Sequence, residues 1–226
     1  MPTTPKRPSV LLFDVNETLL DLAPVRKQIN EVLLDEGGAA LWFSTMLHYS
    51  LVMAVSSQHA DFTQVGAAAL QMLGRNCDIV IHDDDAKEIL GGMRRLMPHA
   101  DVAPALARLQ RAGFRLAALT NSSQAAAKAQ LSHAGLDNYF ERQLSVDSVQ
   151  RFKPHRDVYL WAAREMDAEP ADCMLVAAHG WDVAGAQWAG LRSAFVARRG
   201  QQKFPLAPQP DLDVADFAAL AEALDA

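Results

Sequence analysis

Four short stretches of the chain carry side chains whose types and spacing could do chemistry. The first is Phe13-Asp14-Val15-Asn16-Glu17-Thr18, where a carboxylate is followed four residues later by a hydroxyl able to hydrogen-bond it. The second, Leu119-Thr120-Asn121, offers a hydroxyl and an amide. In the third, Phe152-Lys153-Pro154, proline fixes the chain beside a lysine that could sit against the Asp14 carboxylate and keep it ionised. The fourth, His179-Gly180-Trp181-Asp182, sets an imidazole and an indole beside a second carboxylate. An ionised carboxylate paired in this way serves as a nucleophile or a base. Each stretch also has a plainer reading: an Asp after a strand caps a turn or helix, a Lys-Pro pair lies on the surface, and a tryptophan fills a core. Their common position at strand ends is what sets them apart.

The elements that must position these residues follow from the apolar pattern. Val10–Phe13, Arg115–Leu119, Cys173–Val176 and Ser193–Val196 are short apolar runs that stop at polar residues, as buried parallel strands do. Between them lie Ala-rich stretches of helical spacing, such as those beginning at Pro104 and Gln124. Alternating strands and helices predict an α/β fold, a Rossmann-like parallel sheet flanked by helices, whose chemistry sits beyond the strand C-terminal ends. From Leu22 to about Pro98 the pattern changes. Ile29, Val32, Leu33, Leu41, Met46, Leu47, Leu51 and Val55 recur at helical intervals, which predicts a helical insert at 22–98 within a core made of 1–21 and 99–226. Ile79-Val80-Ile81 is its one strand-like piece, and could equally belong to a helix connection. The Pro-rich segment KFPLAPQPDLD reads as a surface excursion before a last helix.

Composition narrows the classes of function. The chain has 226 residues, half of them hydrophobic, which is about one and a half domains at roughly 150 residues each and enough to build a sizeable core. Its net charge of −6, with no basic stripe, argues against a nucleic-acid or anionic-membrane partner. Cys77 and Cys173 form no paired motif and read as reduced, partly buried thiols. The polar arm MPTTPKRPSV and the brief run VLLF form neither a signal-peptide core nor a membrane span, so a cytoplasmic location is expected. His82-Asp83-Asp84-Asp85 has enough carboxylates to suggest a metal, but it precedes a helix-like run and reads as a solvated helix start.

Taken in order, the D-x-x-x-T at Asp14–Thr18, Thr120, Lys153 and the acidic motif ending at Asp182 resemble the haloacid dehalogenase (HAD) superfamily, including its inserted helical cap. Within it, SVDSVQRFKPHRDVY, GWDVAGA and LSHAGLDNYF look most like the type II (S)-2-haloacid dehalogenases. The resemblance implies metal-independent hydrolysis of short 2-haloacids through an ester on Asp14, with no cofactor, a small carboxylate substrate and, as is common in that family, a homodimer. Thr18 would orient Asp14 and Lys153 would keep it ionised. Thr120 and the backbone N–H groups at Val15 and Asn16 would hold the substrate carboxylate. Asn121 and Trp181 would receive the halide, Asp182 would position or activate the water, and Tyr159 matches an active-site tyrosine.

The phosphatases of the superfamily usually carry a second Asp where this chain has Asn16, and acidic metal ligands where it has Ala177 and Ala178. The chain also departs from the dehalogenases. Phe43 falls where the family has a cap arginine that binds halide and substrate, Ala177-Ala178-His179 replaces a serine–asparagine segment, and Asn16 replaces an aromatic. His179, or His48 of the insert, is the candidate replacement for the missing cation. Loss of the arginine keeps open a weak or inactive binding protein, and a divergent phosphatase is the third alternative.

Overall fold

A computed structural model describes residues 7–226; the first six residues of the polar N-terminal arm lie outside the described residues. The elements run β1 (Val10–Phe13), α1 (Ala23–Leu33), α2 (Gly38–Val55), α3 (Phe62–Asn76), α4 (Asp83–Gly91), α5 (Val102–Arg111), β2 (Arg115–Thr120), α6 (Gln124–His133), β3 (Arg142–Ser145), α7 (Arg156–Glu165), β4 (Cys173–Ala177), α8 (Gly180–Trp188), β5 (Arg192–Val196), β6 (Leu212–Val214) and α9 (Phe217–Ala223).

The sheet is parallel throughout, in the order β3-β2-β1-β4-β5-β6. Every side chain of β1 and β4 is buried, because helices cover both faces and a continuous apolar run is the only sequence that fits. Connections from β1 lead to β2 on one side, while β4 closes on the other. The crevice beyond the ends of β1 and β4 is therefore the switch point at which such sheets bind ligands. The four expected strands are all present, and two more join the edges. β3 (RQLS) and β6 (LDV) are short and polar, as edge strands can be, and lack the apolar run that marks the central ones. β6 corrects the reading of the Pro-rich segment, whose end enters the sheet. Ile79–Ile81 is a connection without strand structure.

Helices α1 to α4 pack together between β1 and α5. α2 is apolar, and among the described residues it is the one helix long and apolar enough to cross a bilayer by length and composition. Here it buries Trp42 and Met46, and Trp42 Nε1 donates to Gly66 O of α3 at 2.9 Å. Asp61 starts α3 with a capping box to Gln64. The acidic run at Asp83–Asp85 occupies the first turn of α4, with Asp83 paired to Lys87 on the surface. The chain leaves the core and returns to it side by side: Leu20 bridges Pro98, Asp21 N donates to Met97 O at 2.9 Å, and His99 N to Leu19 O at 3.0 Å. Of the two thiols, Cys77 is exposed, against expectation, because it caps the end of α3. Cys173 is buried in β4, and burial pushes its thiol up to about 11.

Candidate active site

Asp14 follows directly on β1, and its N–H bonds Val176 O at 3.1 Å, which fixes its backbone at the switch point. The carboxylate is saturated from two sides. Oδ1 accepts from Lys153 Nζ at 2.8 Å. Oδ2 accepts from Thr18 Oγ1 at 2.6 Å and faces His179 Nδ1 at 3.1 Å. Thr18 is held in turn by the N–H of Ala178, which donates to Oγ1 at 2.9 Å. Burial alone would raise the Asp14 pKa, but the charge of Lys153 and the bond and charge of His179 outweigh it, holding the acid well below the usual carboxylate range.

Lys153 is 1 % exposed and spends all three ammonium hydrogens: on Asp14, on Leu119 O at 3.0 Å and on Asp182 Oδ2 at 2.6 Å. Burial disfavours its charge, yet the two carboxylates raise its pKa. Asp182 gives its other oxygen to Tyr159 OH at 2.5 Å. Its pKa is raised by burial and by the charge of Asp14, against the pull of Lys153. Two carboxylates thus share one ammonium, and Asp14 is the one held low. Gly185 makes this packing possible, because a Cβ there would lie 2.4 Å from Pro154 Cβ and 2.7 Å from Tyr159 OH.

His179 caps the start of α8 and is 3 % exposed. Its Nε2 lies 2.9 Å from Glu17 Oε2, so the ring sits between two carboxylates. Both nitrogens must donate, which makes it an imidazolium; burial lowers its pKa, but the two acids raise it to about 9. Phe43 of α2 stacks on one face, with centroids 5.5 Å apart, and Trp181 on the other at 5.3 Å. Where the resemblance leads one to expect a cap arginine, the chain thus has an aromatic face laid on a cation that comes from the core.

Asp14, Asn16, Thr120, Asn121, Lys153, His179 and Trp181 line one cavity, roofed by Phe43, Leu47 and Phe62 from the insert. Its volume, about 20 Å³, gives room for roughly one water. A larger cavity of about 260 Å³ adjoins it, lined by Leu47, His48, Lys153, Pro154 and Trp181. Trp181 Nε1 is buried without a partner. Thr120 Oγ1 accepts from Ser122 N at 3.1 Å, and Asn121 Oδ1 accepts from Lys153 N at 2.8 Å. Asn16 is tied to α6, since its Oδ1 accepts from Gln130 Nε2 at 2.9 Å. Val15, Thr18, Tyr159 and Asp182 belong to the cluster but do not line the cavity. His48 stands in the outer cavity rather than beside Asp14.

Glu17 escaped the sequence reading. Nothing in its type marked it, because its contacts depend on a left-handed backbone (φ 63°) and on partners far along the chain. The donor set does not suit a divalent cation either: cationic donors occupy both Asp14 oxygens, Ala177 and Ala178 offer no side-chain ligand, and no group of three metal-binding side chains occurs among the described residues.

A family model described as haloacid dehalogenase-like hydrolase matches residues 8–190. An (S)-2-haloacid dehalogenase of Pseudomonas sp. (strain YL) is 29 % identical over 214 residues, covering 94 % of this chain and 92 % of that protein. Another from Xanthobacter autotrophicus is 30 % identical over 194 residues, 85 % of this chain and 76 % of that one. The solved structure of L-2-haloacid dehalogenase from Xanthobacter autotrophicus, with chloropropionic acid covalently bound, superposes with a TM-score of 0.88 at 25 % identity, covering 96 % of this chain and 98 % of that one.

Proposed function

Because the chain belongs to the haloacid dehalogenase-like hydrolases, we propose that it hydrolyses the carbon–halogen bond of short 2-haloalkanoic acids, with Asp14 as nucleophile. The observation that carries this reading is a buried carboxylate, bound by Lys153, Thr18 and His179, at the floor of a cavity that Trp181 also lines, its indole N–H buried without a partner. Dehalogenase relatives over most of the chain support the substrate class, and a neighbour that holds chloropropionic acid covalently supports an ester pathway.

In this mechanism an Asp14 oxygen attacks the halogen-bearing carbon from the rear, and halide departs with the bonding pair. Trp181 Nε1 and Asn121 meet the halide, while Thr120 and the backbone after Asp14, at Val15 and Asn16, hold the substrate carboxylate. Water then attacks the ester at the Asp14 carbonyl carbon; one of its protons ends on the oxygen of the departing 2-hydroxy acid, and the other passes to solvent as Asp14 returns to its carboxylate. Asp182, with both oxygens engaged behind the cavity, anchors Lys153 rather than meeting this water, and Tyr159 fixes Asp182. The helices between β1 and α5 act as a cap: Phe43, Leu47 and Phe62 exclude water during displacement, and the cap must part for substrate to enter a cavity this small. The outer face of α2, where Leu41, Val52 and Val55 are exposed, is the surface for a second copy, and sedimentation of Val55→Glu against wild type tests it.

Incubation with chloroacetate and (S)-2-chloropropionate, without added magnesium, should release halide. Mass spectrometry should find the transient ester on Asp14. No halide from any short 2-haloacid overturns the proposal, and release of phosphate from small phosphomonoesters only with magnesium favours a phosphatase instead.

A further inference from the structure

The ionic network continues behind His179. Glu17 is buried, and its carboxylate collects three donors: His179 Nε2 at 2.9 Å, Gln201 Nε2 at 3.2 Å, and Arg26 of α1. It does so from a backbone at φ 63°, a left-handed region that glutamate enters only at a cost and that glycine would occupy freely. The turn is pinned from both ends, since Glu17 N donates to Leu20 O at 2.9 Å and His99 Nε2 meets Glu17 O at 3.2 Å. Gly180 lets the 202–204 segment close in beside this turn; a Cβ there would lie 2.3 Å from Gln202 O. A strained backbone with a buried carboxylate aimed at one ring nitrogen is an expensive arrangement for a residue without a task.

We propose that Glu17 is a positioning residue for the dehalogenation reaction: it holds His179 as an imidazolium with Nδ1–H directed at Asp14 Oδ2, so that a fixed cation stands beside the nucleophile through displacement and ester hydrolysis. This inference rests on the dehalogenase reading for its consequence, but not for its geometry. Asp14 alone cannot perform the task, because its charge is consumed when it becomes an ester, and the ring would then keep its proton only through its second carboxylate. With Glu17 in place, His179 and Thr18 both donate to Oδ2 when negative charge builds on the Asp14 carboxyl during water attack. The charged groups around the ring are few. Asp14 and Glu17 face it directly, Lys153 lies beyond Asp14, and Arg26 beyond Glu17. α2 presents Phe43 and α8 presents Trp181, neither of them titratable in this range.

The test is Glu17→Gln, which keeps the size and the hydrogen bond but removes the charge. The loss of halide release from chloroacetate should be smallest at the acid end of the profile, near pH 6, where the ring needs least help to keep its proton. The alkaline limb of kcat/KM should move at least one pH unit toward acid, a loss of about tenfold or more at pH 8.5. A pH-independent loss, or an unmoved limb, overturns the proposal. The proton NMR titration of the His179 ring in wild type is the second measurement and needs neither turnover nor a folded variant. Titration well above its ordinary 6.5 is expected, and titration at or below that value overturns the proposal. Should wild type release no halide, the dehalogenase reading fails, while a titration at or below 6.5 would still overturn the role of Glu17, and an acid shift of the titration in Glu17→Gln would still support it.

Discussion

The two walls of the cavity are made of different matter. The core wall, from the ends of β1, β2 and β4 and the turn at Lys153, is an ionic lattice in which Asp14, Asp182 and Glu17 balance Lys153, His179 and Arg26. Arg26 is the one member of it that the helical insert supplies. The wall that the insert sets over Asp14 is apolar: Phe43, Leu47 and Phe62. Charge in a rigid sheet is held to a fraction of an ångström, whereas apolar contacts between packed helices can part and re-form at little electrostatic cost. In the proposed reaction the core therefore fixes the chemistry, and the insert sets access and shape. Moving the family's expected cation from the insert to His179 sharpens that division.

The largest break is expected from Asp14→Asn, which removes the proposed nucleophile and should lower halide release about 10⁴-fold or more, measured by ion chromatography. Next is Lys153→Met, which leaves Asp14 and Asp182 facing one another without their shared cation. Stability should fall by about 3–5 kcal/mol in urea titrations, with activity lost alongside. His179 comes third, through pH. Its folded pKa, about 9, lies above the ordinary 6.5, so its contribution to stability is complete below about 6.5 and is lost as pH rises through about 9. Denaturant midpoints should therefore decline over that window in wild type, and His179→Gln should flatten the decline.

Changes to the apolar wall should be milder. Phe43→Arg sets a second cation against the His179 face, so kcat/KM should drop about tenfold, and Phe43→Leu should cost less. A gain of activity in Phe43→Arg would break the comparison, because it would mean that the insert wall lacks charge. Leu47→Ala joins the inner and outer cavities, and should shift KM a few-fold toward longer 2-haloacids while kcat holds.

What was legible in the sequence follows the same division. β1, β2, β4 and β5 stand out because burial on both faces demands unbroken apolar runs, while β3 and β6 at the edges carry Arg142, Gln143 and Asp213 and look like loops. Asp14, Thr18, Lys153 and Asp182 were readable because they stand at or near strand ends in an order that resembles the haloacid dehalogenase superfamily, and the fold brings them together. Glu17 was not, since one backbone angle turns it toward a histidine 162 positions away. Nor could the chain's order reveal that His179 would be stacked between Phe43 and Trp181, because ring stacking across elements leaves no periodic trace.

The side-by-side passage of the chain at Leu20 and Pro98 has a consequence for how such a protein can vary. A segment that enters and leaves through one hydrogen-bonded doorway is a cassette: its replacement leaves the strand order untouched, provided that its contacts with the core, such as Arg26 on Glu17, Phe43 on His179 and Phe62 on Phe152, are rebuilt. Exchange of residues 22–98 for the corresponding segment of a relative, with Arg26 retained, should then transplant substrate range onto an unchanged catalytic floor. The same doorway lets duplication, recombination or an engineer work on selectivity and reactivity separately.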